Sequence, residues 1–322
     1  MRNSVQTSLP AWACVLLLAG CSDSGTTEGT PSGQDAGADT NTAGDSGSTK
    51  ISLNEGYQKA TWGSGVTVTY GDCTLRYKSN GLPNHDRDSE YALPNSGVRV
   101  PSASSAHAGA DPTAAQNYDV TLNTCPTLQS GSTSSALGNI GYMISGASLF
   151  NPYEGDGSTI ALASNFSVKD SSGNDVFFVD SCNGHPTPMG QYHYHGLPAC
   201  VTAQVDAANG PSHIIGIALD GFPVYGNRDA SGNEVTESQL DECNGITSAT
   251  PEFPNGVYHY VLLNAKDGAS SLRCYKGTPA KTASIAPAAC SPGVALAQRD
   301  VSPWGRILNG VIQSIRNPVV MY

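Results

Sequence analysis

The 322-residue chain carries 27 acidic against 16 basic side chains, a formal net charge of −11, which disfavours nucleic acid and anionic lipid surfaces as partners. It also holds 36 Gly and 20 Pro. Short apolar runs bounded by Gly, Asn, Asp and Pro exclude long uninterrupted helices and predict a mainly β protein with many turns.

Residues 1–20 read as a targeting segment. Arg2 supplies a small positive charge, and the apolar run Ala11–Gly20 is too short to span a bilayer as a mature helix. Leu18-Ala19-Gly20-Cys21 resembles a bacterial lipobox, which implies cleavage before Cys21 and acylation of that cysteine. Several acyl chains on Cys21 would anchor the protein stably to the lipid bilayer, its one expected membrane partner. Ser22 rather than Asp follows, which by resemblance to sorting rules in diderm bacteria points to the outer membrane of the cell envelope. Ser22–Lys50 has no large apolar residue, so residues 21–50 are expected to form a disordered tether. Residues 51–322 are expected to form a single domain.

Residues 51–70 alternate weakly towards Val66-Thr67-Val68-Thr69-Tyr70, a predicted strand, and Cys73–Lys78 predicts another. Asn80-Gly81 marks a turn. His107 lies in a Ser/Ala-rich stretch and is expected to be solvated. Asn117–Leu128 predicts a strand entering Cys125, and Val176–Val179 a buried strand leading into Asp180 and Cys182. His213–Leu219 predicts a core strand that delivers Asp220 at its end, with His213 structural. Asp229–Glu237 is rich in oxygen ligands, but it lacks the EF-hand spacing and predicts a solvated loop. Val301–Tyr322 is apolar and is expected to pack back on the domain.

The middle of the chain repeats itself. Gly141–Asn151 aligns with Gly216–Asn227, Asp180–Gly184 with Asp241–Gly245, and Gly190–Tyr194 with Gly256–Tyr260. Three blocks in the same order predict a duplicated unit at residues 141–200 and 216–274. The expected fold is therefore a disulfide-stapled, β-sandwich-like domain built on this duplication. The repeat suggests equivalent disulfides, Cys182–Cys200 and Cys243–Cys274. Cys73–Cys125 is then the remaining pair and Cys290 the odd cysteine.

Chemistry concentrates between Cys182 and Cys200. Tyr192-His193-Tyr194-His195 alternates, so on a strand His193 and His195 share one face and the tyrosines the other. His185, followed by Pro186 and Pro188, is placed to fold back towards the pair. Neutral imidazoles so grouped suit a copper or zinc ion. In the second copy His193 corresponds to His259, but His185 corresponds to Ile246 and His195 to Val261; Asp220 corresponds to Ser145. If the halves pack pseudo-symmetrically, the second copy would add Asp220 and His259 to the site.

The segments GHPTPMGQYHYHGLPAC, IIGIALDGFPVYG and LDECNG, with SNGLPNHD (79–86) and SGASLFNPYEGDG (145–157) upstream, resemble the bacterial YHYH-domain family over roughly residues 70–277. The resemblance implies an exported protein and makes His85 a further candidate ligand; it implies no reaction. The resulting expectation is a cell-envelope lipoprotein binding copper or zinc through His185, His193, His195 and possible contributions from His85, Asp220 and His259. The alternatives are a metal-free module binding a small molecule, glycan or peptide, and a hydrolase or lyase pairing a histidine with Asp220 or Asp180. Walker, dinucleotide, HExxH and GxSxG patterns are absent from the sequence.

Overall fold

The computed structural model describes residues 51–161 and 166–281. The targeting segment, Cys21, the tether to residue 50, Cys290 and the 301–322 segment lie outside the described residues.

The described chain is mainly β. Its strands are β1 (Val66–Gly71), β2 (Thr74–Ser79), β3 (Glu90–Pro94), β4 (Ala106–Ala110), β5 (Tyr118–Asn123) and β6 (Thr133–Ser134). Next come β7 (Asn139–Met143), β8 (Ser148–Phe150), β9 (Ser167–Lys169), β10 (Asp175–Phe177), β11 (Gly184–Pro186) and β12 (Tyr192–Tyr194). The last are β13 (Ile214–Ala218), β14 (Pro223–Tyr225), β15 (Gly245–Ser248), β16 (Val257–Val261) and β17 (Cys274–Tyr275). Two short α-helices, α1 (Asn54–Tyr57) and α2 (Ala199–Val205), accompany them. The expected strand at residues 51–70 thus begins only at Val66. Tyr57 is fully buried on the one turn of α1, so its packing outweighs the weak alternation before it.

The centre is an eight-stranded sheet in the order β11-β12-β8-β7-β13-β14-β16-β15. That order is a palindrome. β7 and β13, one from each copy, pair antiparallel at the middle through Ile217↔Tyr142. On either side the sequence of pairings is the same: antiparallel β7–β8, parallel β8–β12 and antiparallel β12–β11, against antiparallel β13–β14, parallel β14–β16 and antiparallel β16–β15. The two copies therefore share one sheet. Even the local chemistry repeats. Gly146 and Gly221 close the β7–β8 and β13–β14 turns at φ of 105° and 90°, where a β-carbon would be strained.

The turn of sequence Asp-x-Cys-Asn-Gly recurs with equal fidelity. Asp180 Oδ1 accepts from the N–H groups of Cys182 and Gly184 at 2.9 and 3.1 Å, and Asp241 Oδ1 from those of Cys243 and Gly245 at 2.9 and 2.8 Å. Asn183 and Asn244 both take left-handed φ, 58° and 66°. Disulfides join Cys182–Cys200, Cys243–Cys274 and Cys73–Cys125, the three expected pairs.

A three-stranded antiparallel sheet, β1-β2-β5, packs on the large sheet and makes the sandwich. Leu75, Tyr77 and Ser79 alternate inward on β2. The Tyr77 ring lies 5.0 Å from that of Tyr142, and its hydroxyl donates to the Met143 carbonyl at 2.9 Å. Two hairpins, β3–β4 and β9–β10, are tied by the buried group Ala92, Phe178 and Val179. The Val176–Val179 run is a strand only to Phe177, whose side chain is exposed; Phe178 and Val179 are buried beyond the ladder.

Candidate metal centre

β11 and β12 form a hairpin whose turn is closed by a bond from the Gly190 N–H to the Thr187 carbonyl, with Gly190 at φ 83°. The hairpin sets His185 directly opposite His193, so both project from the same face. His195, two residues on, joins them. All three rings are buried, at 7%, 3% and 2% exposure. Their ligand atoms lie within 4.8 Å of one another.

Hydrogen bonds fix what two of these rings present. His193 Nδ1 lies 3.0 Å from the Gln191 carbonyl and His195 Nδ1 2.6 Å from the Asn151 carbonyl. A carbonyl only accepts, so each Nδ1 must carry hydrogen, and in the neutral ring each Nε2 keeps a lone pair. These two Nε2 atoms face each other at 2.9 Å. His185 Nε2 is buried with no hydrogen-bond partner. Burial, and then the charge that His193 and His195 would carry, hold the His185 imidazole well below the ordinary histidine range. Burial does the same for His193, aided by His195 and opposed by the Gln191 carbonyl. Burial lowers His195 to about 4. The cluster thus gathers neutral nitrogen lone pairs at one point. Phe150 stacks on His193 at 3.9 Å between ring centres, and Phe178 tilts against His185 at 4.4 Å.

The imidazoles open onto a cleft of about 240 Å³. Its walls are mostly apolar, with Leu93, Val98, Leu137 and Phe178 among them; Arg99 and Glu154 bring charge. Glu154 Oε1 is buried without a partner, and burial, with Asp156 nearby, pushes the carboxyl up to about 7. No sequence signal marks Glu154 itself, which lies within the 145–157 segment that carries the family resemblance.

The other sequence candidates stand elsewhere. His85 packs on the tyrosine side of β12, with Nε2 2.7 Å from the Tyr194 hydroxyl and its ring 5.9 Å from that of Tyr192. Its group with Cys182 and Cys200 offers no thiolate, because those sulfurs are joined to each other. His259 lies on β16, five strands from β12, roughly 24 Å at ordinary strand spacing. It repeats the His193 anchor, Nδ1 to the Val257 carbonyl at 3.0 Å, and packs on Tyr225. Asp220 sits in the β13–β14 turn and accepts from the Tyr260 hydroxyl at 2.6 Å and the Gly277 N–H at 2.9 Å. A sheet extended side by side cannot bring its two ends to one ion, so the second copy adds nothing to the cluster.

A histidine paired with Asp180 or Asp220 is not found either. Asp180 accepts from the Tyr91 and Tyr192 hydroxyls, and Asp220 from Tyr260. Instead His213 meets the buried Glu252 at 2.8 Å, and Glu252 also accepts from Tyr225, an arrangement in keeping with the structural role expected of His213. His107 is exposed as expected, though it lies on β4 and bonds Asn95. Asp229 accepts from the Ser231 and Asn233 N–H groups in an exposed turn.

The family model described as YHYH protein matches residues 117–239 and 229–277, half of the chain, and the chain belongs to that family. The match contains both copies and the whole histidine hairpin; the SNGLPNHD stretch with His85 precedes it. No curated protein and no solved structure matches the chain.

Proposed function

We propose that this YHYH-family protein binds a transition metal ion, copper or zinc, through His185, His193 and His195, and that it does so in the cell envelope, anchored through acylated Cys21. The observation that carries the metal reading is the pair of Nε2 atoms 2.9 Å apart, each on a ring whose Nδ1 faces a carbonyl. Two lone pairs at that distance repel unless a cation lies between them. A shared proton would serve, but burial disfavours the imidazolium form of all three rings. A metal ion serves without that cost and also employs the orphaned His185 Nε2. Carbonyl acceptors on the remote nitrogens are the usual outer support of metal-bound histidines. Three protein ligands facing a cleft leave a coordination position for water or substrate, the pattern of catalytic rather than closed structural zinc sites. Membrane anchoring rests on the lipobox-like Leu18–Cys21 alone.

The duplicated copy supplies the control for the test. Ile246 and Val261 occupy the positions of His185 and His195 in the same register. The double variant His185→Ile/His195→Val should therefore fold, where alanines would leave cavities. Elemental mass spectrometry on the full chain, purified from the envelope without chelators or affinity histidines, should find near-stoichiometric copper or zinc in the wild type. The folded double variant should retain less than a tenth of it. Equal metal in both proteins would refute the site.

A further inference from the structure

The cleft above the histidines is built for something larger than an ion. Its volume of about 240 Å³ exceeds the ~150 Å³ that accommodates a benzene ring. Leu93, Val98, Leu137, Phe150 and Phe178 line it, and Leu137 is 50% exposed at its edge. Arg99 is exposed and has no carboxylate partner among the described residues, where seven other lysine or arginine side chains form ion pairs. It lies beside Gly155, where a β-carbon would come within 3.2 Å of Arg99 Cγ. The neighbouring Glu154 has a buried, unpartnered oxygen.

We propose that this cleft binds a small molecule with a ring-sized apolar body and a single anionic group of the carboxylate type, that Arg99 holds the anion, and that Glu154 turns away ligands with a second negative charge. The inference names the ligand class of the metal site proposed above and rests on that reading for its chemistry. The binding itself is measurable apart from it. A guanidinium presents two parallel N–H groups to a carboxylate. Arg99 is exposed at the cleft mouth, where salt screens that bond, so its contribution is read at low ionic strength. Above the value of about 7 to which burial raises it, the Glu154 carboxylate repels a further anion, and no ion pair among the described residues neutralises it. A metal ion on the three imidazoles would add to the preference for an anion without changing the contributions of Arg99 and Glu154.

The test uses the full chain with Cys21→Ser, which removes the acylation site, and measures metal content in every sample. Isothermal titration at about pH 8.5 and low ionic strength, where Glu154 is ionised, compares benzoate, benzyl alcohol of similar size without charge, and terephthalate with a second carboxylate. Benzoate should bind at least tenfold more tightly than benzyl alcohol. In metal-free samples Arg99→Gln should erase that tenfold difference, in metal-loaded samples it should cut the benzoate preference at least fivefold, and in both it should leave benzyl alcohol unchanged. Glu154→Gln should leave benzoate within twofold and tighten terephthalate about tenfold. Equal binding of benzoate and benzyl alcohol, benzoate binding indifferent to Arg99→Gln, or no binding of any probe would overturn the proposal. Arg99-dependent benzoate binding by protein that takes up no metal would uphold the ligand class and sink the metal reading. Metal-loaded protein that ignores benzoate would do the reverse.

Discussion

Tyr192 passes over Gly184 to set its hydroxyl 2.6 Å from Asp180 Oδ2, and Tyr258 passes over Gly245 to reach Asp241 at 2.9 Å. A β-carbon at either glycine would collide with the tyrosine ring, which is why both turns end in Gly. The stakes of the two bonds differ. Asp180 is 4% exposed, whereas Asp241 is only partly buried and open to water. Tyr192→Phe should therefore cost about 2 kcal/mol of unfolding free energy and Tyr258→Phe about 1 kcal/mol or less, because Asp180 Oδ2 keeps only the Tyr91 hydroxyl and no water reaches the vacated position, whereas water can replace Tyr258 on Asp241. Urea titration of both variants checks the order, and equal losses would contradict it. Metal content should be unchanged in Tyr192→Phe, since its side chain faces away from the imidazoles. The alternation of the tetrapeptide was enough to separate the two faces from sequence. It could not show that the tyrosines tie the strand to the Asp-x-Cys-Asn-Gly turns, or that Gln191 and Asn151 orient the rings through their carbonyls. Main-chain partners leave no mark on residue type, and neither does the burial that sets Glu154 apart from other acidic loop residues.

The hairpin is the element in which sequence and structure agree most closely, and the repeat is the reason. Matching blocks at fixed order predicted equivalent strands, and β11–β12 and β15–β16 have the same register with His185 facing His193 where Ile246 faces His259. The same argument predicted Cys182–Cys200 and Cys243–Cys274 and left Cys73–Cys125 as the remaining pair. It failed for Asp220 and His259, because similarity between copies says that two units are alike and not how far apart the sheet sets them. Side-by-side addition through β7 and β13 places the two YHY strands towards opposite edges. The cross-links also make a graded prediction. The sequence separations are 18 for Cys182–Cys200, 31 for Cys243–Cys274 and 52 for Cys73–Cys125. Loop-closure entropy gives them about 3, about 4 and about 4 kcal/mol respectively. Replacing each pair by serines should lower the urea midpoint, least for Cys182/Cys200. That smallest loss should nonetheless be the one that weakens metal retention, because this bond closes the segment bearing the histidines. Metal retained equally in all three double-serine variants would show that the hairpin holds its geometry without the cross-link.

At the scale of the whole molecule, the histidines tie stability to pH. His185, His193, His195 and His259 are all buried, and burial is the first cause that lowers each of them from the ordinary value of 6.5. A group whose folded pKa is depressed favours the folded state fully above its unfolded pKa. As pH falls below about 6.5 the unfolded chain takes up protons that the metal-free fold refuses, and stability is lost down to the folded value, about 4 for His195. Two carboxyls, the buried Asp220 and the half-buried Glu154, act in the opposite sense. Asp220 is raised from 3.8 to about 6 and Glu154 from 4.5 to about 7, both by burial first. Their contribution is greatest below the unfolded values and fades as pH rises through the folded ones. Four histidines against two carboxyls leave a net loss between pH 7 and pH 5. Chelator-treated wild type should therefore unfold at a lower urea concentration at pH 5 than at pH 7. His185→Ile/His195→Val removes two of the four histidines while Asp220 and Glu154 still oppose the other two, so its net loss should be small, well under half that of the wild type. An equal drop in both proteins would place the acid sensitivity outside the cluster. A drop confined to the wild type and abolished by restoring copper or zinc would tie it to the same nitrogen atoms that the metal occupies, since an ion held by their lone pairs excludes the proton from them.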